Sequence, residues 1–190
     1  MLVTVEGAGF DAWDVHIVYG PFLGDVTVDD SMPVVRNVHR TYGPLGDFDA
    51  NGDGLADIAI EMNGQTSLVI AGSHTRPTGT IAPSDGAAIL TERCDAGNAI
   101  QYGISAGDVD GDGRSDLVVA GEQCPAAEGN IDIVFGMPAT RSLATPDRGW
   151  TGSTGLVVLQ NGDVDGDGFA DTLFSARDVN GFALVYGAPR

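Results

Sequence analysis

Short apolar runs separated by turn-forming residues extend along the chain. Examples are LVTVEG (2–7), VHIVYG (15–20) and SLVIAG (67–72), in which β-branched residues are frequent. The 28 glycines and 9 prolines punctuate the sequence, and no stretch shows the apolar spacing of an amphipathic helix. The pattern predicts an all-β fold made of many short strands.

The runs belong to a repeat with a period of roughly 50 to 65 residues. Each copy contains an acidic segment and ends in an apolar run that closes with an aromatic residue and glycine, or a relative of that pair. The acidic segments are GDFDANGDGLADIAIEM (46–62), GDVDGDGRSDLVVAGE (107–122) and GDVDGDGFADTLFSAR (162–177). Residues 1–21 match only the later half of a unit, and whole units follow at about 22–73, 74–138 and 139–190.

Four strands are expected in each unit. Two apolar runs follow each acidic segment, and Asn63-Gly64 and Asn180-Gly181 between such runs are strong signals for tight hairpins. Further strand-like runs precede the acidic segments, among them PVVRNV (33–38) and AAILTER (87–93). Four-stranded antiparallel sheets are the usual content of a propeller blade, so the sequence predicts β-propeller-type blades, about three and a half in this chain.

The acidic segments share the spacing D-x-[DN]-x-D-G-x-x-D. Oxygen ligands two residues apart, followed by glycine at a sharp turn, suit a hard cation that takes roughly six to eight oxygens, and we expect three Ca²⁺ sites. The candidate ligands are side chains of this pattern and the backbone carbonyl after the glycine: Asp47, Asp49, Asn51, Asp53, Leu55 and Asp57 in the first loop, Asp108, Asp110, Asp112, Arg114 and Asp116 in the second, and Asp163, Asp165, Asp167, Phe169 and Asp171 in the third.

EF-hands, magnesium sites and acidic turns without a metal are the alternatives for these loops. An EF-hand needs a glutamate at its twelfth position, where this chain has Ile60, Val119 or Phe174. Mg²⁺ prefers a stricter octahedron that keeps several waters. Metal-free turns are the remaining alternative, and three loops at matching repeat positions argue against it.

The first loop departs from the other two. Asn51 stands where they have an aspartate, and two extra residues allow Asp47 to replace or join Asp49 as the first ligand. We therefore expect the first loop to bind Ca²⁺ more weakly.

The charge of the chain is strongly negative, with a formal net value of −18 and nine basic side chains, all of them arginine. A phosphate backbone needs a basic face, so nucleic acid is excluded as a partner. No apolar run approaches the ~20 residues of a membrane span, so membrane insertion is not expected. A generally acidic surface would scatter its acids, whereas 12 of the 27 acidic residues fall in the three loops. Bound cations would relieve this crowding.

Two cysteines, Cys94 and Cys124, flank one repeat unit. A disulfide between them would place the protein outside a reducing cytosol, and two buried free thiols are the alternative. Met1 runs directly into the first apolar run without a basic start or a long apolar region. We therefore expect either that a leader was removed or that the chain was cut from a longer one.

No set of residues with catalytic spacing is found, and we expect no enzymatic activity. Gly103 to Gly107 matches the G-x-S-x-G elbow of hydrolases around Ser105, but an acidic loop follows where that motif needs a helix, and no histidine occurs after His74. The three histidines show no metal-ligand spacing.

The acidic loops and the aromatic-glycine strand ends together resemble the FG-GAP (VCBS-type) repeat of integrin α-subunit heads and many bacterial secreted proteins. The matching strand ends are Tyr19-Gly20-Pro21, Phe135-Gly136-Met137-Pro138 and Tyr186-Gly187-Ala188-Pro189, with Ile70-Ala71-Gly72 as a degenerate copy. The resemblance covers nearly the whole chain. It implies a bacterial secreted or cell-surface protein, or a fragment of one, with blades around an axis, Ca²⁺ loops on one rim, and a protein or glycan ligand on the opposite rim.

The family usually forms seven-bladed rings, which the units of this chain do not complete. We expect a fragment that begins in mid-blade, or self-association in which two copies complete a ring. A calcium-binding, non-enzymatic adhesion or ligand-binding module fits this picture best. The alternatives are an accessory segment of a larger secreted enzyme, which a parent sequence would reveal, and a lectin that stacks Trp13 or Trp150 on a sugar.

Overall fold

The computed structural model describes residues 2–9, 12–19, 24–25, 27–29, 32–38, 40–41, 48–62, 66–85, 88–91, 100–121, 128–136, 141–142, 146–153, 156–176 and 181–190. These residues form strands β1 (Leu2–Gly9), β2 (Ala12–Ile17), β3 (Val34–Val38), β4 (Arg40–Thr41), β5 (Ile58–Glu61), β6 (Thr66–Ile70), β7 (Ala88–Thr91), β8 (Ile100–Gly107), β9 (Asp116–Gly121), β10 (Glu128–Val134), β11 (Arg141–Ser142), β12 (Arg148–Ser153), β13 (Leu156–Gly162), β14 (Asp171–Ala176) and β15 (Gly181–Val185), with a 3-10 turn at Pro83–Asp85. No helix in the described part of the chain is long and apolar enough to cross a membrane.

The strands assemble into small sheets with the orders β1-β2-β3, β4-β5-β6-β7-β11, β8-β9-β10-β12 and β13-β14-β15. The short strand β11 joins β7 in the parallel sense, and the other paired strands are antiparallel. The all-β prediction is confirmed, and small antiparallel sheets of this kind are compatible with propeller blades.

The strands that follow each acidic segment pair as the hairpin pattern predicts. Ile58 lies opposite Ile70 across β5 and β6, and Thr172 lies opposite Val185 across β14 and β15. The turn asparagines fall within 63–65 and 177–180, outside the described residues.

The sheets differ in their boundaries from the repeat units seen in the sequence. β3 lies within the unit at 22–73, yet it pairs with β2 of the leading half unit. β7 and β12 likewise lie in the first part of a unit, before its acidic segment, and pair with the last strand of the preceding unit. A chain that leaves the end of a strand can easily turn back and pair with that strand in the antiparallel sense. The run after each aromatic-glycine strand therefore joins the sheet of that strand. As a result the middle sheets have the predicted four strands, with β11 added to one, and the outer sheets have three within the described residues.

The apolar core is divided into clusters that each lie between successive sheets. The clusters include Val15, Val35 and Leu68 between the first and second sheets, Val69, Leu117 and Val119 between the second and third, and Val118, Ile131 and Phe174 between the third and fourth. Ala59 and Ile60 are adjacent on β5 and enter different clusters, because neighbouring strand residues point to opposite faces. The four sheets therefore pack face to face in chain order, and the acidic loops of neighbouring sheets are brought together.

Candidate metal centres

The three acidic loops occupy the same place in successive sheets. The first leads into β5, the second connects β8 to β9, and the third connects β13 to β14. Asp116 and Asp171 are the first residues of β9 and β14, and Asp57 directly precedes β5. The loops therefore lie at equivalent ends of their sheets.

The first aspartate of each loop organises the turn around its own carboxylate. In the second loop, Asp108 Oδ1 accepts the N–H groups of Gly111 at 2.7 Å and Asp112 at 3.1 Å, and Oδ2 accepts the N–H of Gly113 at 2.9 Å. The first and third loops repeat this pattern at distances between 2.7 and 3.1 Å. Gly111 and Gly113 adopt φ of +78° and +84°, a region that favours glycine. The glycine spacing of the motif thus follows from the turn.

The last aspartate of each loop ties the loop to the end of the second strand that follows it, at the same end of the sheet. Asp116 is fully buried, and its Oδ2 accepts the N–H of Val109 at 2.8 Å while its Oδ1 accepts that of Gly136 at 2.7 Å. Asp57 and Asp171 accept the equivalent pairs of N–H groups. Both oxygens of this carboxylate are therefore oriented by the backbone.

The glycine of each strand end is the part of the site that the acidic pattern does not reveal. Gly72, Gly136 and Gly187 each donate their N–H to the final aspartate of their own loop. An added Cβ would lie 2.7 Å from the Ala56 carbonyl oxygen at Gly72, and 2.6 Å from that of Ala170 at Gly187. The sequence signal for this contact is the glycine that recurs one hairpin after every acidic loop, preceded by an aromatic residue after the second and third loops.

Carboxylates converge in the second and third loops. Each of these loops brings one oxygen from three aspartates within 4.8 Å of one another: Asp108, Asp110 and Asp116 in the second loop, and Asp163, Asp165 and Asp171 in the third. Three of the predicted side-chain ligands of each loop are thus already grouped, in the places that the motif spacing assigns to them.

The predicted ligand Asp112 of the second loop and Asp167 of the third stand outside these groups. Their Oδ1 atoms accept the N–H groups of Arg114 at 3.0 Å and Phe169 at 2.9 Å, two residues further on. These carboxylates hold the turn in the described conformation, and their role as ligands, like that of the Arg114 and Phe169 carbonyls, stays a prediction.

The first loop has the same backbone hydrogen bonds as the other two, but its candidate metal-binding side chains differ. Asn51 Nδ2 donates to Asp53 Oδ2 at 2.9 Å, and Asp53 Oδ1 accepts the Leu55 N–H at 2.8 Å. No group of three carboxylates is found in the described part of this loop. Asp47, the proposed additional ligand, lies outside the described residues.

Burial and mutual repulsion dominate the electrostatics of the second loop. Burial raises the pKa of Asp116 from its ordinary value of 3.8 to about 7, against the hydrogen bonds from Gly136 and Val109 that lower it, and the charges of Asp110 and Asp112 raise it further. Burial also raises the pKa of the corresponding carboxyl in the first loop. A nearby cation would favour the ionised form of Asp116.

One carboxylate oxygen of the second loop has no hydrogen bond. Asp110 Oδ2 is buried and accepts none within the described residues, although the exposed guanidinium of Arg190 makes an ion pair with it. A buried carboxylate oxygen needs a partner, and the charge beside this one is positive, so the oxygen is suited to bind a cation. Together with the grouped aspartates, it gives the second loop an all-oxygen donor set fit for a hard divalent ion.

Backbone hydrogen bonds join successive loops in one repeated way. The Ser115 N–H of the second loop donates to the Asp49 carbonyl of the first at 2.8 Å, and the Ala170 N–H of the third donates to the Asp108 carbonyl of the second at 2.8 Å. We call this series of contacts the loop ladder.

Side chains repeat the same relation. Arg114 packs over Gly52 of the first loop, and Phe169 packs over Gly111 of the second. The residue after the motif glycine thus covers the turn of the preceding loop, so each loop is supported by the next one along the chain.

The residues considered for other functions are placed as follows. Ser105 lies on β8, and the second acidic loop and β9 follow it, so the strand-turn-helix context of a hydrolase elbow is not formed by these residues. The Trp150 ring lies 6.1 Å from that of Phe174 and packs against the core between the third and fourth sheets. Trp13 on β2 is 42% exposed.

Some predicted features cannot be placed. Cys94 and Cys124 lie outside the described residues, and so does His39. Their pairing and surroundings stay predictions. His16 is buried on β2, and His74 is exposed.

One family model matches part of the chain. Residues 101–122, which comprise most of β8, the second acidic loop, β9 and the residue after it, match the FG-GAP repeat family. No curated protein matches the chain. FG-GAP repeats are non-catalytic modules that occur in extracellular proteins and in propellers of the integrin α type. The segment around the second acidic loop therefore matches an FG-GAP repeat, and this match supports an FG-GAP repeat protein.

Proposed function

We propose that this chain is a calcium-binding, non-enzymatic binding module of an extracellular protein, with one Ca²⁺ held in each of its three acidic loops. The observation that carries the proposal is the convergence of three aspartate oxygens within 4.8 Å in both the second and the third loop. The first loop has the same backbone frame, but Asn51 replaces one carboxylate. It is therefore the weakest of the three proposed sites.

The chemistry of the loops favours Ca²⁺ over Mg²⁺. Every proposed donor is an oxygen, and the donors include carboxylates and a backbone carbonyl, which together approach the roughly six to eight ligands that Ca²⁺ takes. Mg²⁺ keeps several of its waters and usually binds through one or two carboxylates, so these loops offer more carboxylates than Mg²⁺ uses.

Calcium would act as a structural component. Neighbouring carboxylates repel each other by about 1 kcal/mol per close pair in water, and by more near a protein surface. At tenfold excess over its dissociation constant, a ligand adds about 1.4 kcal/mol per site, so three sites add about 4 kcal/mol. A module that depends on calcium to this extent suits extracellular fluid, where such sites bind at roughly millimolar concentration.

The partner is proposed to bind at the end of the sheets opposite the acidic loops. Because β5 and β6 run antiparallel, and β14 and β15 likewise, their connections lie at the sheet ends away from the loops. A protein ligand at this rim is consistent with a function in adhesion. Surface loops on a rigid scaffold are the usual place for recognition residues.

A glycan ligand is the second candidate, and the exposure of Trp13 favours it. Trp13 follows the β1–β2 connection, on the rim opposite the acidic loops, and 42% of its surface is open to solvent. A glycan array probed with wild-type protein and Trp13→Ala in Ca²⁺ would show a signal that the variant loses. An array without signal would rule this candidate out.

Thermal unfolding in Ca²⁺, in Mg²⁺ and in chelator tests the calcium proposal. About 4 kcal/mol corresponds to a rise in melting temperature of roughly 8–16 °C for a domain of this size. We expect this rise in Ca²⁺ and a much smaller one in Mg²⁺.

Two variants locate the effect within the chain. Asp116→Asn removes a charge from the second loop and is expected to lose about a third of the Ca²⁺-dependent rise, since one proposed site of three is affected. Asp25→Asn removes the same charge from an exposed position outside the loops and should behave as wild type. A melting temperature that does not change with Ca²⁺, or that Mg²⁺ raises by the same amount, would contradict the proposal.

A further inference from the structure

Asn51 and Gly52 form an asparagine-glycine pair in the turn of the first acidic loop. In such a pair the backbone nitrogen of the glycine can attack the side-chain amide of the asparagine, because glycine has no Cβ that obstructs the approach. The amide is then lost as ammonia, and the asparagine becomes an aspartate. The second and third loops already have aspartate at this position, as Asp110 and Asp165.

The first loop places two groups where they assist this reaction. Gly52 donates the N–H of its attacking nitrogen to Asp49 Oδ1 at 2.8 Å, so a carboxylate is in place to accept the proton. Asn51 Oδ1 accepts the N–H of Asp53 at 2.8 Å, and this hydrogen bond polarises the carbonyl group that is attacked. A base and a hydrogen-bond donor therefore contact the two reacting groups.

A positive charge from the second loop lies beside the same pair. The loop ladder holds the second loop against the first through the hydrogen bond from the Ser115 N–H to the Asp49 carbonyl. Arg114 covers Gly52, and its Cγ and Nε lie 3.3 and 3.8 Å from the position of a Cβ on that glycine. Because a guanidinium group is always charged in proteins, it stabilises the negative charge that develops on the attacked amide.

We propose that Asn51 deamidates in the folded chain, with Asp49 as proton acceptor and Arg114 as stabilising charge, and that the product completes the carboxylate set of the first loop. The Gly52 nitrogen loses its proton and bonds to Asn51 Cγ, the Cγ–Nδ2 bond breaks, and Nδ2 leaves as ammonia with one added proton. One water molecule then adds its hydroxyl to Cγ of the cyclic imide, and the bond from Cγ to the Gly52 nitrogen breaks as that nitrogen regains a proton. Asparagine and water thereby become aspartate and ammonium, without an oxidant or a reductant.

The hydrogen bonds of the loop favour aspartate over isoaspartate as the product. If water attacked the main-chain carbonyl of the imide instead, the backbone would run through the former side chain and gain one methylene group. The Asp49 carboxylate accepts three successive backbone N–H groups at distances of 2.8 to 3.1 Å, and a longer backbone would disrupt this arrangement. Aspartate fits it, since Asp110 Oδ1 accepts the Asp112 N–H at 3.1 Å in the same place of the second loop.

Deamidation would give the weakest proposed metal site the same carboxylates as the other two, and this consequence rests on the proposed function. Asn51 Nδ2 donates to Asp53 Oδ2 at 2.9 Å. In the product two carboxylates face each other at this place, so they repel in the metal-free loop and attract Ca²⁺ more strongly.

Peptide mass spectrometry of the folded chain, kept in metal-free buffer at mildly alkaline pH, tests the covalent step. Deamidation adds one dalton, and fragmentation distinguishes aspartate from isoaspartate. Asn161-Gly162 is the matched reference, because there the same pair is held in the pairing of β13 with β14. Asn51 should convert at least about tenfold faster than Asn161, which is a modest share of what a positioned base contributes. In urea the two asparagines should convert at similar rates.

Two arginine variants test the contribution of the neighbouring loop. Arg114→Gln keeps the backbone carbonyl of that residue and removes its charge, so conversion of Asn51 should slow by about fivefold. Arg36→Gln removes the same charge from β3, outside the acidic loops, and should convert as wild type does. An Asn51 that converts in urea but stays intact in the folded chain would overturn the inference. A product that is only isoaspartate, or a rate that Arg114→Gln leaves unchanged, would also overturn it.

Calcium titration of the converted chain tests the consequence for the first loop. The converted chain and Asn51→Asp should both bind Ca²⁺ at the weakest site about tenfold more tightly than fresh wild type, because affinity rises with the charge of the ligands. Unchanged affinity at the first loop, in a chain whose other two loops bind Ca²⁺, would overturn this consequence. A chain that binds no Ca²⁺ in either form would contradict the proposed function instead, and the conversion itself would still be read from the mass.

Discussion

The second and third acidic loops have almost the same sequence and the same internal hydrogen bonds, but very different surroundings. Both read GDVDGDG, and their hydrogen bonds to the first aspartate agree within 0.1 Å. Yet Val109 is 1% exposed and Val164 is 66% exposed. The difference arises because the third loop and the last residues of the chain cover the second loop. The conformation of a loop is thus local, whereas its burial and charge balance come from the neighbouring unit.

The comparison extends to the electrostatics of the final aspartate. Burial is the largest reason that the pKa of Asp116 rises to about 7. The same neighbour brings Arg190 to Asp110, so the second loop receives a positive charge from the chain itself. Variants that change only one of the two loops can therefore separate the effect of the loop's own hydrogen bonds from the effect of the neighbouring unit.

The largest effect is expected from Asp116→Ala in the metal-free protein. The substitution leaves the Val109 and Gly136 N–H groups buried without an acceptor, at a cost of about 1–3 kcal/mol for each group. Urea unfolding should therefore show a loss of about 2–6 kcal/mol. Asp171→Ala should lose less, because the Val164 N–H is only partly buried. Equal losses would show that burial of the loop is unimportant.

The pH dependence of stability is the next effect. Because the folded pKa of Asp116, about 7, lies above its ordinary value of 3.8, folding favours the protonated form. Its contribution to stability is fully present below about pH 3.8 and is lost as the pH rises through 7.

Unfolding of the metal-free protein between pH 4 and 8 measures this contribution. Asp116→Asn should flatten the decline by at most about 1.4 kcal/mol per pH unit, the slope of one proton. Asp25→Asn, outside the loops, serves as the matched control. Identical slopes for wild type and Asp116→Asn would contradict the assignment of the raised pKa. In wild type, Ca²⁺ affinity should fall below pH 7, because the ion must displace the proton.

A pair of glycine variants tests the packing of neighbouring loops. Gly111→Ala and Gly166→Ala both place alanine at positive φ, +78° and +80°, so both incur the same local strain. At Gly111 the new methyl group also collides with the Phe169 ring, whereas the space beside Gly166 is open. Gly111→Ala should be the less stable by about 1–3 kcal/mol in urea unfolding. Equal stabilities would mean that packing of the Phe169 ring does not stabilise the second loop.

The smallest effect concerns Arg190. Its side chain is 57% exposed while that of Asp110 is buried, so water screens the ion pair only on the arginine side, and Arg190→Gln should lower the stability of the metal-free protein by about 1 kcal/mol. Calcium affinity of the second loop should rise, because a competing positive charge is removed from Asp110, and that of the third loop should stay the same. A fall in affinity would mean that Arg190 orients Asp110 for the ion.

Much of the local structure could be predicted from the sequence. Strand positions, hairpins and the three equivalent loops follow from short apolar runs, Asn-Gly pairs and the aspartate spacing, because these patterns reflect interactions within a few residues. The composition of the sheets could not be read in the same way. β3, β7 and β12 belong to the sheet of the preceding strand, and the repeat period in the sequence does not show where one sheet ends.

The aspartates of the candidate sites could be predicted from the sequence, whereas the residues that hold those aspartates in place could not. The acidic pattern names the aspartates that converge, including Asp108, Asp110 and Asp116. It does not reveal that Gly136 orients Asp116, or that Phe169 covers the turn of another loop. Those contacts join residues that are far apart in the chain, so only packing of the sheets brings them together.

Isothermal titration of the metal-free chain with Ca²⁺ tests the central claim most directly. The account predicts three ions per chain, with one weaker site that belongs to the first loop, and a stoichiometry that falls to two in Asp171→Ala. Titration with Mg²⁺ should give little heat at the same concentrations. A chain that takes up no Ca²⁺, or an Asp171→Ala variant that still binds as many ions as wild type, would contradict the account.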